Sequence, residues 1–330
     1  MHIFIDESGN FARPKTGHSV SVMGALVVPE ARLDLLFRKY GRLRGNLPKE
    51  KGEVKGRLLT ESQTAKVLEL LRKNSCIFEA VAIDMGLETD EGIQRHREGQ
   101  AEALTMHLTD EHHPSLVAGV WDLRARVESM SVPLYTQSTV TIFLLGNILQ
   151  RIPSYWVQRI SREILNFHWV VDGKELNRVT DAEDWWSTTM LGLLQSRSAR
   201  DPMVWPDWVE KGEFDAKFMR PTPDYLRGVL TDKEMGVDLK LLMKESFRFS
   251  SAPEPGLELA DIVTNCARRV LMGNLKPIGW AGLPKLMIHR SQQYVDLVHL
   301  TNFESRARQP YDQTLTAFRS GGRSMLTPSA

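Results

Sequence analysis

The chain has 330 residues, with 42 Lys/Arg against 41 Asp/Glu. That length can bury one large core, and the near-cancelling charge excludes the global field of a dedicated polyanion or membrane-surface binder. Two cysteines, Cys76 and Cys266, are too few for a disulfide framework or for a zinc site built on cysteine alone.

The opening residues, Met-His-Ile-Phe-Ile-Asp-Glu-Ser-Gly, predict a short apolar strand that stops at Asp6 and Glu7, with Ser8 and Gly9 turning the chain. No charged n-region or long apolar h-region accompanies it, so no signal peptide is expected. Residues 19–28 are Val-rich between Gly17 and Pro29 and predict a second, antiparallel strand. After Pro29, Leu33, Leu36, Phe37 and Tyr40 fall at helical spacing. This helix and the loop behind it form a basic segment, 31–57, in which nine Lys/Arg face only Asp34, Glu50 and Glu53. Thr60 and Gln63 have capping-box spacing and open a second helix.

Residues 76–85 predict a third strand and 90–111 a charged helix. His96, His107, His112 and His113 read as solvated helix and loop positions rather than a metal site, because their neighbours are charged and include no cysteine. A strongly apolar helix follows over 133–152. Its most apolar stretch, 142–149, is broken by Gly146 and Asn147 and is too short to cross a bilayer, so a cytoplasmic protein without membrane association is expected.

A fourth strand ends at Asp172. Residues 173–237 contain a second capping-box spacing, Thr180 to Glu183, then Trp185 and Trp186. They turn rich in Pro and Trp (Pro202, Trp205, Pro206, Trp208, Pro221, Pro223), which predicts an insertion or lid outside the core. Residues 238–244 suggest a fifth strand, and 256–272 a helix introduced by Pro253 and Pro255. The division expected is a domain over 1–272 and a C-terminal extension over 273–330, whose Gly/Ser-rich end should be mobile. The fold class is α/β: a mixed five-stranded sheet flanked by helices, with three antiparallel neighbours first and the fourth strand beside the first.

Two strands that end in Asp, and a late helix that carries Asp261, are how a sheet can gather carboxylates for a divalent metal. Hard cations such as Mg²⁺ or Mn²⁺ take oxygen ligands from separate elements, so Asp6, Asp172 and Asp261 are the metal-ligand candidates. Adjacent strand residues face opposite ways, so Glu7 joins Asp6 only if the strand has ended. On the late helix Glu258, Asp261, Asn265 and Arg268 form one polar stripe opposite Leu259, Ile262, Val263, Cys266 and Val270. Taken alone, that stripe is equally the solvent face of an amphipathic helix.

Phe4-Ile-Asp-Glu-Ser-Gly9, Val170-Val-Asp172 and Leu257-Glu-Leu-Ala-Asp-Ile262 together resemble the bacterial and phage family called domain of unknown function thirty-eight hundred, over roughly residues 1–271. Glu53-Val-Lys55-Gly56 resembles that family's E-x-K segment. The resemblance implies a ribonuclease H-like fold and a cluster of Asp6, Asp172 and Asp261, with Glu7 and Glu258 as additional catalytic carboxylates. Lys55 and Arg268 are the candidates for substrate phosphate.

The leading expectation is a Mg²⁺- or Mn²⁺-dependent nuclease with nucleic acid, RNA or DNA, as substrate. The alternative is an inactive or weakly active binding module of a defence or toxin–antitoxin assembly, working through a protein partner or a second copy of itself. A phosphatase acting on small phosphate esters with the same cluster is a third reading.

Overall fold

A computed structural model describes the chain except for residues 16, 174–179, 201–202, 204, 223–233, 245–246, 302–308 and 328–330. The strands in chain order are β1 (His2–Ser8), β2 (Val20–Val28), β3 (Lys49–Glu50), β4 (Glu53–Val54), β5 (Ile77–Asp84), β6 (His168–Asp172), β7 (Met219–Pro221), β8 (Met235–Val237), β9 (Phe247–Ser250) and β10 (Val295–Val298). The helices used below are α1 (Leu33–Arg44), α2 (Glu61–Lys73), α3 (Asp90–Thr105), α4 (Pro114–Ser129), α5 (Val132–Val157), α6 (Asp181–Thr188), α7 (Met190–Arg200), α8 (Gly212–Phe218), α9 (Leu239–Lys244) and α10 (Pro255–Leu271).

The main sheet has six strands in the order β10-β5-β2-β1-β6-β9. β1, β2 and β5 are antiparallel neighbours, and β6 lies parallel to β1. Every residue of β2 and β5 is buried, as expected of central strands covered on both faces. One face carries Phe4, Val22, Leu26, Phe78 and Val170 and packs on α1, α2 and α10. The other carries Ile3, Ile5, Met23, Val81 and Val171 and packs on α5. β2 can pass close beneath α10 because residue 24 is glycine; a Cβ there would meet the Phe78 ring at 2.8 Å and collide with the Thr264 hydroxyl.

Several expectations change. β1 does not stop at its acids: Asp6, Glu7 and Ser8 pair with Gly24, Met23 and Val22 in unbroken register. The sheet has six strands rather than five. Residues 238–244 are not a strand; Asp238 Oδ1 accepts from the Lys240 and Leu241 amides and caps α9. The buried residues there, Leu239, Leu242 and Met243, keep helical spacing. The fifth strand of the main sheet in chain order is β9, and the C-terminal extension supplies its sixth, β10, which pairs parallel with β5.

The charged helix ends at Thr105, and α4 was not anticipated: Val127 is its only buried residue among sixteen, so its apolar periodicity is weak. The apolar helix is α5, which extends through Pro153 to Val157. It is the one described helix long and apolar enough to cross a membrane, but it packs inside the protein against the sheet. The Trp-bearing segment extends the core rather than standing off as a lid, since Trp185, Trp186, Phe214 and Phe218 are buried in the same cluster as α5. Pro202 and Pro223 lie outside the described residues. Part of the end expected to be mobile is instead tied down: Arg159 donates to the Ser324 and Met325 carbonyls, and His289 N–H to Arg323 O.

Candidate functional site

The parallel register of β1 and β6 pairs Ile5 with Val171, so the next step brings Asp6 and Asp172 side by side. Neighbouring strands are about 4.8 Å apart. Both residues follow the alternation of Phe4 and Val170 and therefore belong to the face beneath α10. α10 runs along β1: Gly256 lies over Phe4, and the Asn265 amide donates to Ser8 Oγ at 3.2 Å. Asp261 falls between these two points on the helix, which brings the third carboxylate over the strand ends.

The electrostatics agree with this convergence. Burial, then the charges of Glu7, Asp172 and Asp261, push the Asp6 carboxyl well above its ordinary range, although the Glu7 amide donates to it at 2.7 Å. Burial and the Glu7 charge raise Asp172 to about 6, with Lys55 opposing. Burial raises Asp261 as well, against the Gly56 N–H and the Lys55 ammonium. Three carboxyls held up together, Asp6 buried and Asp172 and Asp261 half-buried, mean that the protein's own cations do not neutralise them.

The β3–β4 hairpin brings the basic element to the site. The Gly56 amide donates to Asp261 Oδ2 at 2.6 Å, just after the hairpin. Residue 56 must be glycine for that approach, because a Cβ would meet Ile262 Cα at 2.8 Å. Lys55 pairs with Glu53 at 2.6 Å. Burial opposes its charge, but the Glu53 hydrogen bond and the charges of Asp261 and Asp172 hold the ammonium above its ordinary value. Lys49 and Lys51 are exposed on the same hairpin, and Arg57 pairs with Glu50.

Two sequence candidates are placed elsewhere. Glu258 is buried and fully engaged: Arg44 donates to both its oxygens at 2.6 Å, Tyr40 Oη at 2.9 Å and the Val54 amide at 3.2 Å. Although burial works against ionisation, these donors hold its carboxyl below the usual range. Its role here is to fasten α10 to α1 and the hairpin, and its lone pairs are already committed. Arg268 lies seven residues past Asp261, about 10 Å along the helix, where its Nε holds the Val20 carbonyl at 2.8 Å.

Glu7 belongs to the opposite face from Asp6. It lines a small cavity with Asp172, Gln137, Thr180, Glu183 and Trp186. Asp172, the last residue of its strand, is therefore shared by the cavity and by the cluster under α10. Glu183 had no functional reading in the sequence; its one visible signal was the capping box, which it does form with Thr180. The histidines at 96, 112 and 113 are occupied locally, with Tyr135 Oη, Thr109 and the Ser115 amide.

The donor set of Asp6, Asp172 and Asp261 is all oxygen and strongly anionic, which fits a hard divalent cation. The three do not form a tight single-ion cage. The one group of three or more metal-competent side chains within 4.8 Å of one another, among the described residues, is His2, Glu30 and His168. A spread set of carboxylates suits a pair of ions about 4 Å apart better than a single one. No protein-family model, curated protein or solved structure matches the chain.

Proposed function

We propose that the chain is a divalent-metal-dependent nuclease of ribonuclease H-like architecture, a member of the family that its FIDESG strand and late Leu-Ala-Asp helix resemble, acting in the cytoplasm. The observation that carries this reading is the convergence of Asp6 and Asp172, at adjacent parallel strand ends, with Asp261 on the crossing helix, all three with raised carboxyl pKa values.

Asp6, Asp172 and Asp261 would hold Mg²⁺ or Mn²⁺, which when bound activates the attacking water and stabilises the leaving oxygen of a phosphodiester. The chain's own residues do the rest. Gly56 N–H fixes the orientation of the Asp261 carboxylate. Lys55 has its ammonium beside the cluster, where it can bind a non-bridging phosphate oxygen and hold the scissile group against the carboxylates. The exposed Lys49 and Lys51 extend this positive edge away from the cluster, as a polyanionic strand requires and a small phosphate ester does not.

The test is cleavage of RNA, DNA and hybrid substrates with Mg²⁺ or Mn²⁺, alongside thermal melts. Wild type should cleave and should gain stability from Mn²⁺; Asp261→Asn should remain folded and lose both responses. A wild type that neither cleaves nor responds to metal would sink the nuclease reading in favour of a binding module. Equal cleavage by Asp261→Asn would return the helix stripe to a purely structural role.

A further inference from the structure

The opposite end of the same two strands presents a second constellation, of different chemistry. His2 and His168 are direct register partners across β1 and β6. Their rings stack with centroids 4.5 Å apart and planes 21° from parallel. Glu30, in the turn that follows β2, approaches both: its Oε2 is 2.8 Å from His2 Nε2 and 3.8 Å from His168 Nε2. All three side chains keep contact with solvent, so an ion could reach them.

We propose that His2, Glu30 and His168 form a binding site for a borderline divalent cation, zinc(II) foremost, separate from the carboxylate cluster. Two imidazole nitrogens and one carboxylate oxygen are a usual three-ligand set for Zn²⁺ with a fourth position left for water. Mg²⁺, which prefers an all-oxygen shell, is a poor match. With bonds of 2.0–2.1 Å, tetrahedral zinc sets its donors roughly 3.3 Å apart. The two distances to Glu30 straddle that value, so the ion needs one contact to open and the other to close by about half an ångström.

The backbone around the site is fixed before any ion arrives. The buried Glu163 carboxylate accepts from the Glu30 amide at 2.9 Å, and the same side chain lies 3.5 Å from the Met1 nitrogen. The His168 amide donates to Met1 O at 3.0 Å. One buried acid thus positions Glu30 together with the residue before His2. Outer-sphere support of this kind is what orients ligands at metal sites. Asp6 lies four residues further along β1, about 13 Å away at 3.3 Å per residue, so the two sites do not share ligands. A cation here would pin the starts of β1 and β6, the two strands whose far ends carry Asp6 and Asp172.

The experiment uses the untagged full chain, stripped with chelator and dialysed. Zinc affinity and stoichiometry are read by competition with a chromophoric chelator, and stability by thermal melting with and without ZnCl₂. One zinc per chain is expected, with a melting temperature raised by several degrees at about 100-fold excess over Kd. His2→Ala and His168→Ala should each weaken binding by more than about 100-fold, because losing even an outer-sphere partner typically costs 10–100-fold. Glu30→Gln should weaken binding while preserving shape, which separates loss of a ligand from loss of fold. His112→Ala/His113→Ala should leave the zinc stoichiometry unchanged. Absence of zinc binding by wild type, unchanged zinc affinity in the His2→Ala/His168→Ala double variant, or loss of binding in the His112→Ala/His113→Ala control would overturn the site.

Discussion

Asp172→Asn should make the metal-free protein more stable at neutral pH, and the gain should disappear in acid. Burial and the Glu7 charge raise the Asp172 carboxyl from 3.8 to about 6 in the folded chain. Below 3.8 both folded and unfolded chains keep the proton, so no penalty exists. Above 6 both have lost it, and the folded state bears the full cost of an ionised, partly buried carboxylate beside Glu7 and Asp261. Metal-free stability therefore falls as pH rises between those two values. Two pH units at about 1.4 kcal/mol each would be roughly 3 kcal/mol; solvent screening of the partly exposed group reduces this to about 1–2 kcal/mol. For a chain of this size that is a melting-temperature gain of about 1.5–3 °C for the variant at pH 7.5, shrinking to about a third of that at pH 4.5. The assay is a pair of thermal melts in EDTA at the two pH values, repeated at pH 7.5 with Mn²⁺. Added Mn²⁺ should reverse the order by stabilising wild type and leaving the variant where it was. A variant less stable than wild type at pH 7.5 in EDTA, or an equal gap at both pH values, would refute the reasoning.

Glu258→Ala should destabilise the fold by about 3–5 kcal/mol in urea titrations, because it strands Arg44, Tyr40 Oη and the Val54 amide together; a loss below about 1 kcal/mol would mean the carboxylate is not a fastening point. Lys55→Ala should weaken nucleic-acid binding and reduce the salt slope by about one, and an unchanged slope would assign Lys55 to structure alone. Gly56→Ala should cost about 1–3 kcal/mol by overpacking against Ile262 and Asn265, and should also weaken the Mn²⁺-induced melting shift, since Asp261 is held by the residue 56 amide. A normal metal response in that variant would uncouple Gly56 from the site.

Much of the frame was legible along the chain. A Val-rich run between Gly17 and Pro29 marks β2, and the apolar Ile77, Phe78, Val81 and Ile83 mark β5, because strands buried on both faces are dominated by apolar residues. The capping boxes at Thr60 and Thr180 are both formed, since that chemistry is complete within four residues. α10 matches its expected span because its proline entry and apolar stripe are local features. The elements that escaped are those whose pattern is set by distant partners. β10 is four residues long with the half-buried Asp296 inside it, and that acid is met by Asn147 and Arg151 of α5 and by Arg290. The segment 238–244 has leucines that satisfy either period, and the Asp238 cap with the buried face settles it as helix.

The same division runs through the candidate site. The sequence by itself determined that Asp6 and Asp172 close two apolar runs, that Asp261 sits on an amphipathic helix, and that Glu53 and Lys55 lie in a basic segment. Which acids meet was decided only by the tertiary structure. Glu258 and Asp261 are three residues apart on one helix face, yet Arg44 and the hairpin take up the first while the second reaches the strand ends. Asp6 and Glu7 are adjacent, yet strand pleating sends them to opposite faces because β1 keeps pairing through Ser8. The meeting of His2, His168 and Glu30 is likewise invisible along the chain, since it depends on the β1–β6 register. Residue identity fixes which ligands a chain has to offer; strand register and helix crossing fix which of them share a point in space.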